Sequence, residues 1–486
     1  MKRYVIAVDE GTTSARAMLF DVDEKKFVAE DQRSIKQIYP RPSWVEEDAD
    51  EIYVNTLSAI VTMCEKADGV NDVKGIGITN QRETVIAWDR ETGRPVYNAI
   101  VWQCRRTSGY CKTLSDERVN VIKEKTGLKV DAYFSATKIK WIIDNVEKAK
   151  ELMSKGRLCV GTVDSFLIYK LTGNFYTDMT NASRTMLFNL HTLSWDDELL
   201  EFFGIPKSVL PEIKRCDDLF GYFTYKGRNI PVTGVLGDQQ AALYGQDCLT
   251  AGSGKITYGT GLFMLFSTGK EIADSDSALS TVGFADKNGV TYALEGSVFN
   301  AGSAVQWLRD GLGLFENSAD TEEMAKSVPD TGGVYVVPAF TGLGAPYWRG
   351  DVTGIITGIT RGTNKNHITR AVLESIAYSA KAVLCEIEKD CGFAVKEIKV
   401  DGGASANDFL MQFQADIINV KIDRPTERES TALGAAKACA VSLELIDFKS
   451  AKEIRKSDKV FTPSKDREKY SSLYEGYKKA VERCLL

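Results

Sequence analysis

The chain has 486 residues, enough for two domains, and its 43% hydrophobic and 26% charged residues are ordinary for a folded protein. The formal net charge of −6 is spread along the chain without a basic block, so no nucleic-acid partner is expected. No run approaches the roughly 20 apolar residues of a membrane span, the apolar run at residues 5–8 is too short for a signal peptide, and the 10 cysteines stand singly. We therefore expect a cytoplasmic protein with reduced thiols and no obligate membrane association.

A tight turn between two apolar strands occurs twice along the chain. Residues 4–21 read YVIAVDEGTTSARAMLFD, and residues 256–269 read ITYGTGLFMLFSTG. β-branched and aromatic runs on both sides of a glycine turn are typical of hairpins. Their repetition about 250 residues apart predicts two halves of similar design, each offering one turn to a shared cleft.

Helical and strand patterns alternate between and after these hairpins. A one-sided apolar stripe predicts a helix over residues 138–153, and a longer helix is predicted over residues 367–391, with Asn364 or Asn366 as N-cap and Gly392 as its end. Short β-rich runs predict strands at residues 73–79, 230–238 and 397–403. Strands that end in Gly, Asp or Thr and lead into helices indicate the α/β class.

The first turn carries residues suited to phosphate. Asp9 ends a strand and could hold a hydrated Mg²⁺ ion, while the backbone N–H groups and hydroxyls of residues 11–14 could bind phosphate oxygens. The segment matches neither a Walker loop nor a GxGxxG turn. Because Asp, Gly, Thr and Ser also favour ordinary turns, a plain hairpin remains the alternative.

Two later segments could likewise be either ligand-binding turns or ordinary turns. The second turn, at residues 259–261, reads GTG, and residues 401–407 read DGGASAN after a predicted strand. A diglycine lets a planar ring approach the backbone closely, and Asn407 could hydrogen-bond an adenine edge. Ordinary turns are again the alternative.

These three elements, in this order, resemble the sugar and polyol kinases of the FGGY family, and residues 354–374 fit that family's longer signature. Six further segments are similar to the family members that act on glycerol: ITNQRET, YNAIVWQCRRT, DAYFSATK, TNASRTMLFN, GDQQAALYGQ and VPAFTGLGAPYW. The resemblance implies an α/β protein of two actin-like (ribonuclease H-like) ATPase domains facing a central cleft. Residues 1–246 would carry the glycerol site and the first phosphate hairpin, and residues 247–486 the second hairpin and the adenosine site.

The resemblance also implies roles for individual residues. Those matching glycerol contacts are Arg82, Glu83, Trp102, Tyr133, Asp238, Gln239 and Phe263. Those matching phosphate contacts are Thr12, Thr13, Ser14, Arg16 and Thr260, and those matching adenosine contacts are Gly302, Gln306, Gly403 and Asn407. Taken alone, Arg82 and Glu83 could form a surface ion pair, and Trp102 and Phe263 could be core aromatics. His191 and His367 are interpreted as structural.

The implied reaction is in-line transfer of a phosphoryl group from ATP to glycerol, giving sn-glycerol 3-phosphate. Asp238 would act as general base, and Mg²⁺, held through water by Asp9, would bind the phosphates. A homo-oligomer, dimer or tetramer, is expected. The alternatives are a kinase of another small polyol or ketose in the family, an ATPase that moves partner proteins, and a catalytically silent sugar sensor.

Two departures from the family pattern stand out. The family usually has Gln where this chain has Glu10, which is expected to add a negative charge beside the first phosphate turn. After APYW the family commonly continues with Asp, whereas this chain continues with RGD at residues 349–351.

Overall fold

The computed structural model describes residues 2–392 and 394–486, which form two compact units. The first unit comprises Met1–Asp247, Ser280–Tyr292 and Ser430–Ile454, and the second comprises Cys248–Leu279, Ala293–Glu429 and Arg455–Leu486. The longest segment of the first unit ends beside the domain boundary predicted from the sequence. The return of two later segments to the first unit was not predicted, and the division of functions between the halves stays a prediction.

A six-stranded mixed sheet forms the centre of the first unit. The hairpin predicted at residues 4–21 is confirmed, since Tyr4–Glu10 pairs antiparallel with Ser14–Asp21, and it lies inside this sheet. The predicted strands near residues 73–79 and 230–238 are also present. From edge to edge, the strand order is Gly221–Tyr225, Arg228–Gly237, Val73–Asn80, Tyr4–Glu10, Ser14–Asp21 and Lys26–Ser34.

Smaller sheets complete the strands of this unit. A five-stranded sheet has the order Gln37–Ile38, Glu46–Glu47, Ala99–Ile100, Val85–Asp89 and Leu158–Thr162. Two-stranded sheets pair Tyr176–Asp178 with Glu212–Lys214, and Phe188–Asn189 with Ser194–Trp195.

Both faces of the six-stranded sheet are covered, as its first strand shows. Successive side chains of a strand point to opposite faces. Tyr4, Ile6 and Val8 accordingly join one apolar core, and Val5 and Ala7 join a second one. This arrangement explains why the strand reads as a continuous apolar run instead of an alternating one.

The second of these cores also contains apolar residues of the helix Ser430–Ser442, which is why this late segment belongs to the first unit. It packs so closely that a Cβ atom at Gly77 would lie 2.4 Å from the Ala435 carbonyl oxygen. A Cβ atom at Gly434 would lie 1.9 Å from the Ala241 carbonyl oxygen, in the helix that begins at Asp238. Glycine at these positions therefore allows a backbone-to-backbone contact that no larger residue permits.

The helices of the first unit surround these sheets. The α-helices are Ala49–Lys66, Ser108–Cys111, Asp116–Thr126, Ser135–Asn145, Glu147–Ser154, Val163–Thr172, Met179–Ala182, Asp197–Phe203, Asp238–Gly245, Ser430–Ser442 and Phe448–Lys452, with 3₁₀ turns at Val70–Asp72 and Lys207–Val209. The single helix predicted over residues 138–153 is wrong in one respect, because Val146 is extended and divides it in two. Asn and β-branched Val are both weak helix formers, which favours the break at this point.

A seven-stranded sheet contains the second hairpin and most strands of the second unit. The hairpin predicted at residues 256–269 is confirmed, as Gly254–Tyr258 pairs antiparallel with Leu262–Gly269, and the strand predicted at residues 397–403 is present as Glu397–Asp401. The strand order is Leu279–Asp286, Gly289–Val298, Leu262–Gly269, Gly254–Tyr258, Glu397–Asp401, Lys421–Pro425 and Ser457–Phe461. Tyr335–Val337 and Ile355–Thr357 form a separate pair.

Helices pack on this sheet around one apolar core. The α-helices are Gly302–Gln306, Asp320–Lys326, Lys365–Cys391, Asp408–Ile418 and Arg467–Leu485, with a π-helical turn at Trp307–Gly311 and a 3₁₀ turn at Gly403–Ala406. The long helix confirms its predicted ends. The Asn364 side chain caps it by accepting the N–H groups of Asn366 and His367, and Gly392 ends it with a left-handed φ of 68°.

The cysteines and the helices bear on two expectations drawn from composition, reduced thiols and no membrane span. All 10 cysteines are free. Across residues 2–392 and 394–486, the helices are too short or too polar for any of them to cross a membrane.

Candidate active site

The first hairpin turn places hydroxyls and a carboxylate at one end of the central sheet. Gly11 N–H donates to the Ser14 carbonyl oxygen at 2.9 Å, which closes the turn. Thr13 is exposed and Thr12 and Ser14 are partly exposed, so all three are accessible at the surface of the unit. Asp9 and Arg16 are paired across the hairpin, and Arg16 Nη2 donates to Asp9 Oδ2 at 3.0 Å.

Glu10, next to this turn, points into the protein and is fully buried. Gln81 Nε2 donates to Glu10 Oε1 at 3.3 Å and to Glu47 Oε2 at 2.8 Å, so one amide bridges two buried carboxyls. Burial, followed by the neighbouring charge of Glu47, raises the pKa of Glu10 well above its usual range. Burial of Glu10 thus works against the negative charge expected from the sequence, and that charge stays a prediction.

Asp238 lies at the start of a helix beside the buried Arg82. Arg82 Nε lies 2.9 Å from Asp238 Oδ1, and Arg82 Nη1 donates to Gln240 Oε1 at 3.2 Å. Gln239 N–H donates to Asp238 Oδ1 at 2.6 Å, and the positive end of the helix dipole also favours a carboxylate there. The Asp238 side chain is 32% exposed, so it is held on one side and open to a ligand on the other.

Glu83 follows Arg82 but forms a separate buried ion pair. Its backbone is left-handed, with φ of 61°, an uncommon conformation for a residue with a side chain that is often found at functional sites. Arg184 Nε donates to Glu83 Oε1 at 2.6 Å, with both side chains almost fully buried. The alternative of a surface ion pair between Arg82 and Glu83 is therefore wrong.

Two aromatic side chains lie beside this polar group. The rings of Trp102 and Tyr133 meet edge to face, with centroids 5.7 Å apart. Trp102 Nε1 donates to Thr12 Oγ1 at 3.0 Å, which connects the aromatic pair to the first phosphate turn. Trp102 N–H donates to Thr84 Oγ1 at 3.1 Å, so the loop that carries Arg82 and Glu83 also positions the indole.

A buried lysine holds the backbone around Tyr133. Lys138 Nζ donates to the carbonyl oxygens of Ala132, Tyr133 and Phe134 at 3.1, 2.5 and 3.2 Å. The lysine is fully buried, and this burial lowers its pKa to about 8. Three carbonyls use all three N–H donors of the ammonium group, which fixes the position of Tyr133.

The second turn is also built on close backbone contacts. Ala301 N–H and Ser303 N–H both donate to the Thr260 carbonyl oxygen at 3.0 Å, and Gly302 N–H donates to the Gly259 carbonyl oxygen at 3.0 Å. A Cβ atom at Gly302 would lie 2.4 Å from that same Gly259 oxygen, so only glycine fits there. Thr260 is exposed and therefore available to a ligand.

The remaining predicted residues of the second unit also lie at accessible positions. Gln306 and Gly403 are exposed, and Phe263 is half-buried. Asn407 has a structural role that was not predicted. Its Oδ1 accepts Leu410 N–H at 3.0 Å and caps the following helix. Its Nδ2 donates to Thr321 Oγ1 at 3.2 Å. The adenine contact proposed for Asn407 stays a prediction.

The structure thus joins most of the predicted first-unit residues into three groups of contacting side chains. The contacts join Asp9 to Arg16, Trp102 to Thr12 and Tyr133, and Asp238 to Arg82 and Gln239. Arg184, Gln240 and Lys138, which hold these residues, were not predicted as site residues. They lie in segments noted for their resemblance, but no spacing rule marks which distant side chain each one contacts.

Two sheet-rich units, each with a polar turn between strands, are typical of actin-like two-domain kinases. Solved structures of such kinases have the same fold as this chain. A Plasmodium falciparum glycerol kinase with ADP superposes with a TM-score of 0.92 at 37% identity, covering 100% of this chain and 99% of that one. A gluconate kinase from Lactobacillus acidophilus superposes with a TM-score of 0.88 at 25% identity, covering 99% of this chain and 98% of that one.

This chain belongs to the FGGY family of carbohydrate kinases. The model of the family's N-terminal domain matches residues 4–245, and that of its C-terminal domain matches residues 254–443. A glycerol kinase of Halothermothrix orenii is 50% identical, covering 100% of this chain and 99% of that protein. A glycerol kinase of Thermococcus onnurineus is 51% identical, covering 100% of this chain and 98% of that protein.

Proposed function

We propose that this protein transfers the γ-phosphoryl group of ATP to a terminal hydroxyl of glycerol, giving sn-glycerol 3-phosphate. The activity is that of relatives about 50% identical over the whole chain. The observation that carries the proposal is the pairing of Arg82 with Asp238, 2.9 Å apart, with the carboxylate left partly open.

Asp238 is suited to act as general base for the attacking hydroxyl. In phosphoryl transfer the transition state is loose, so the protein mainly positions the reactants and accepts a proton. Arg82 Nε and Gln239 N–H both lie close to Oδ1, so the Asp238 carboxyl is held in place while the side chain stays partly open to a hydroxyl. The hydroxyl proton would move to an Asp238 oxygen as the oxygen–phosphorus bond forms.

Glycerol binding is assigned to polar side chains and aromatic walls together. Arg82 would donate hydrogen bonds to hydroxyl oxygens, and Glu83 would accept from hydroxyl groups. Tyr133 would be a third polar contact, and Gln239, beside the base, a further one. Trp102 and Phe263 would be the aromatic walls that pack on the carbon chain.

The nucleotide contacts are assigned to both turns. The hydroxyls and N–H groups of residues 12–14, with Arg16 and Thr260, would bind phosphate oxygens. Gly302, Gln306, Gly403 and Asn407 would contact the adenosine half. Exposed hydroxyls on tight turns support this assignment.

Asp9 also fits a hydrated magnesium ion. Mg²⁺ prefers oxygen ligands, keeps several waters and is usually held by one or two carboxylates plus substrate phosphates. The Asp9 side chain is 17% exposed at the strand end, and the described residues contain no group of three or more His, Cys, Asp or Glu side chains that could hold a metal. Magnesium bound there would neutralise phosphate charge.

We further propose that the protein is cytoplasmic and forms a homo-oligomer.

The test measures ADP release with and without glycerol for the wild type and for Asp238→Asn. The wild type should release ADP in a glycerol-dependent manner, and the variant should lose on the order of 10²-fold or more in kcat. Asp218→Asn is the matched control, since its side chain is 30% exposed and also pairs with an arginine. Normal turnover by Asp238→Asn would remove Asp238 from the role of base.

A further inference from the structure

We propose that Asp178 is a positioning residue that fixes the loop carrying Arg82 and Glu83 and the turn presenting Asp238 in one arrangement. The inference rests on the proposed function, since it concerns how that site is held together. Asp178 belongs to no predicted set of site residues, and its carboxyl is fully buried.

The Asp178 carboxylate is the centre of a hydrogen-bond network. Its Oδ2 accepts from Thr180 N–H and from Thr180 Oγ1, both at 2.6 Å. Its Oδ1 accepts from Asn181 N–H at 3.1 Å and from Asn181 Nδ2 at 2.7 Å. Cys216 Sγ also lies 3.4 Å from Oδ2. A carboxylate, which can accept several hydrogen bonds on two oxygens, suits this set of donors.

One arm of the network reaches the turn before Asp238. Thr180 Oγ1, which donates to Asp178, accepts the Gly237 N–H at 2.9 Å. Gly237 is buried and immediately precedes the helix that begins at Asp238. The Thr180 hydroxyl therefore fixes the backbone from which the proposed base projects.

The other arm reaches the loop that carries Arg82. Asn181 and Asn80 exchange two hydrogen bonds, each 3.0 Å from Nδ2 to Oδ1. Asn80 Nδ2 also donates to the Gln81 carbonyl oxygen at 2.9 Å. Since Arg82 follows Gln81 directly, Asn80 fixes the backbone from which the guanidinium projects.

The two arms meet on one carboxylate, which adds to the strand pairing of Gly237 with Asn80, so Asp178 helps to set the separation of Arg82 and Asp238. Catalysis of this kind is sensitive to small displacements, since about 1 Å can change a rate by 10²-fold. A loss confined to kcat and glycerol KM is the signature of a positioning role, because the nucleotide contacts are assigned to other segments.

The test compares Thr180→Val, which keeps the side-chain shape and removes the hydroxyl, with Thr180→Ser, which keeps the hydroxyl. Steady-state kinetics should give a kcat about tenfold lower for the valine variant, with ATP KM within about twofold of the wild type. The serine variant should recover most of the activity. Asp178→Asn should lose more, because its amide would oppose N–H donors with a donor of its own.

Thr126→Val is the matched control for simple loosening of the fold. Thr126 is buried, and its Oγ1 likewise accepts one backbone N–H, from Leu128, and donates to one oxygen, of Ile122. This variant should lose stability but keep its kcat. Equal kcat losses in Thr126→Val and Thr180→Val, or full activity in Thr180→Val, would overturn the inference. Wild-type activity in the same assay keeps that outcome distinct from failure of the proposed function.

Discussion

Arg184 is expected to be as important for glycerol binding as the residues predicted to contact it. Its guanidinium donates to Glu83 and lies 5.7 Å from the Tyr133 ring centre, so one side chain touches two predicted glycerol contacts. Replacing Arg184 with Met keeps much of the apolar stem but leaves the Glu83 carboxyl buried without its cation. The substitution therefore tests whether the buried pair serves the site.

The expected magnitude follows from burial. The Arg184 side chain is 0% exposed and that of Glu83 is 2% exposed. Removing one partner of a buried ion pair costs about 3–5 kcal/mol, whereas an exposed pair is worth roughly 0–1 kcal/mol. Because Arg184 also orients the Glu83 carboxyl, its loss should weaken the hydrogen bond from glycerol to Glu83; such a bond to a charged group is worth about 1.5–3 kcal/mol, which corresponds to roughly a 10- to 150-fold rise in glycerol KM.

Urea unfolding and steady-state kinetics measure the two effects separately. Arg184→Met should unfold at lower urea and show a raised glycerol KM, with a much smaller change in ATP KM. Combining it with Glu83→Gln should restore part of the stability, because the second change removes the buried negative charge that Arg184 balanced. Arg215→Met is the control, since its pair with Asp218 is 40% and 30% exposed. A loss below about 1 kcal/mol with unchanged glycerol KM would refute the reasoning.

Three further outcomes are expected. Burial lowers the pKa of Lys138 to about 8, so between pH 8 and 10.5 the unfolded chain holds a proton that the folded protein has lost. The free energy of unfolding of the wild type should therefore rise with pH relative to that of Lys138→Met, by up to about 3 kcal/mol. An equal difference between the two proteins in urea unfolding at pH 7.5 and at pH 9.5 would contradict this. Gly302→Ala should raise ATP KM, because the new Cβ would lie 2.4 Å from the Gly259 carbonyl oxygen, whereas Gly109→Ala, at an open position, should not. Asn364→Ala should lower stability by about 1 kcal/mol through loss of the helix cap, and an unchanged thermal midpoint would argue against that role.

Local patterns in the sequence were sufficient for the elements that depend on neighbours along the chain. The two hairpins have apolar strands on both sides of short polar turns, and both are present. The long helix begins after Asn364 and ends at Gly392 because capping is decided by the residues at the ends themselves. Val146 was missed because its weak helix propensity was outweighed by the apolar stripe around it.

Packing between distant segments could not be predicted in the same way. The helix Ser430–Ser442 belongs to the first unit and packs there through close contacts at Gly77 and Gly434. No local sequence pattern predicts this packing. Arg184 lies 101 positions from Glu83, and their pairing depends on how the two segments fold together. The residues implied by the family resemblance could be named in advance, but the side chains that hold them in place could not.

The central claim is that glycerol is the acceptor of the phosphoryl group. The most direct measurement compares kcat/KM for glycerol, xylulose and gluconate in one ADP-release assay, with the phosphorylated product identified by ³¹P NMR. We predict sn-glycerol 3-phosphate as the product and a kcat/KM for glycerol at least about 10²-fold above that for xylulose or gluconate, since a site whose polar groups are left without partners discriminates strongly against the wrong acceptor. ADP release that is unaffected by glycerol, or that responds more strongly to xylulose or gluconate, would contradict it.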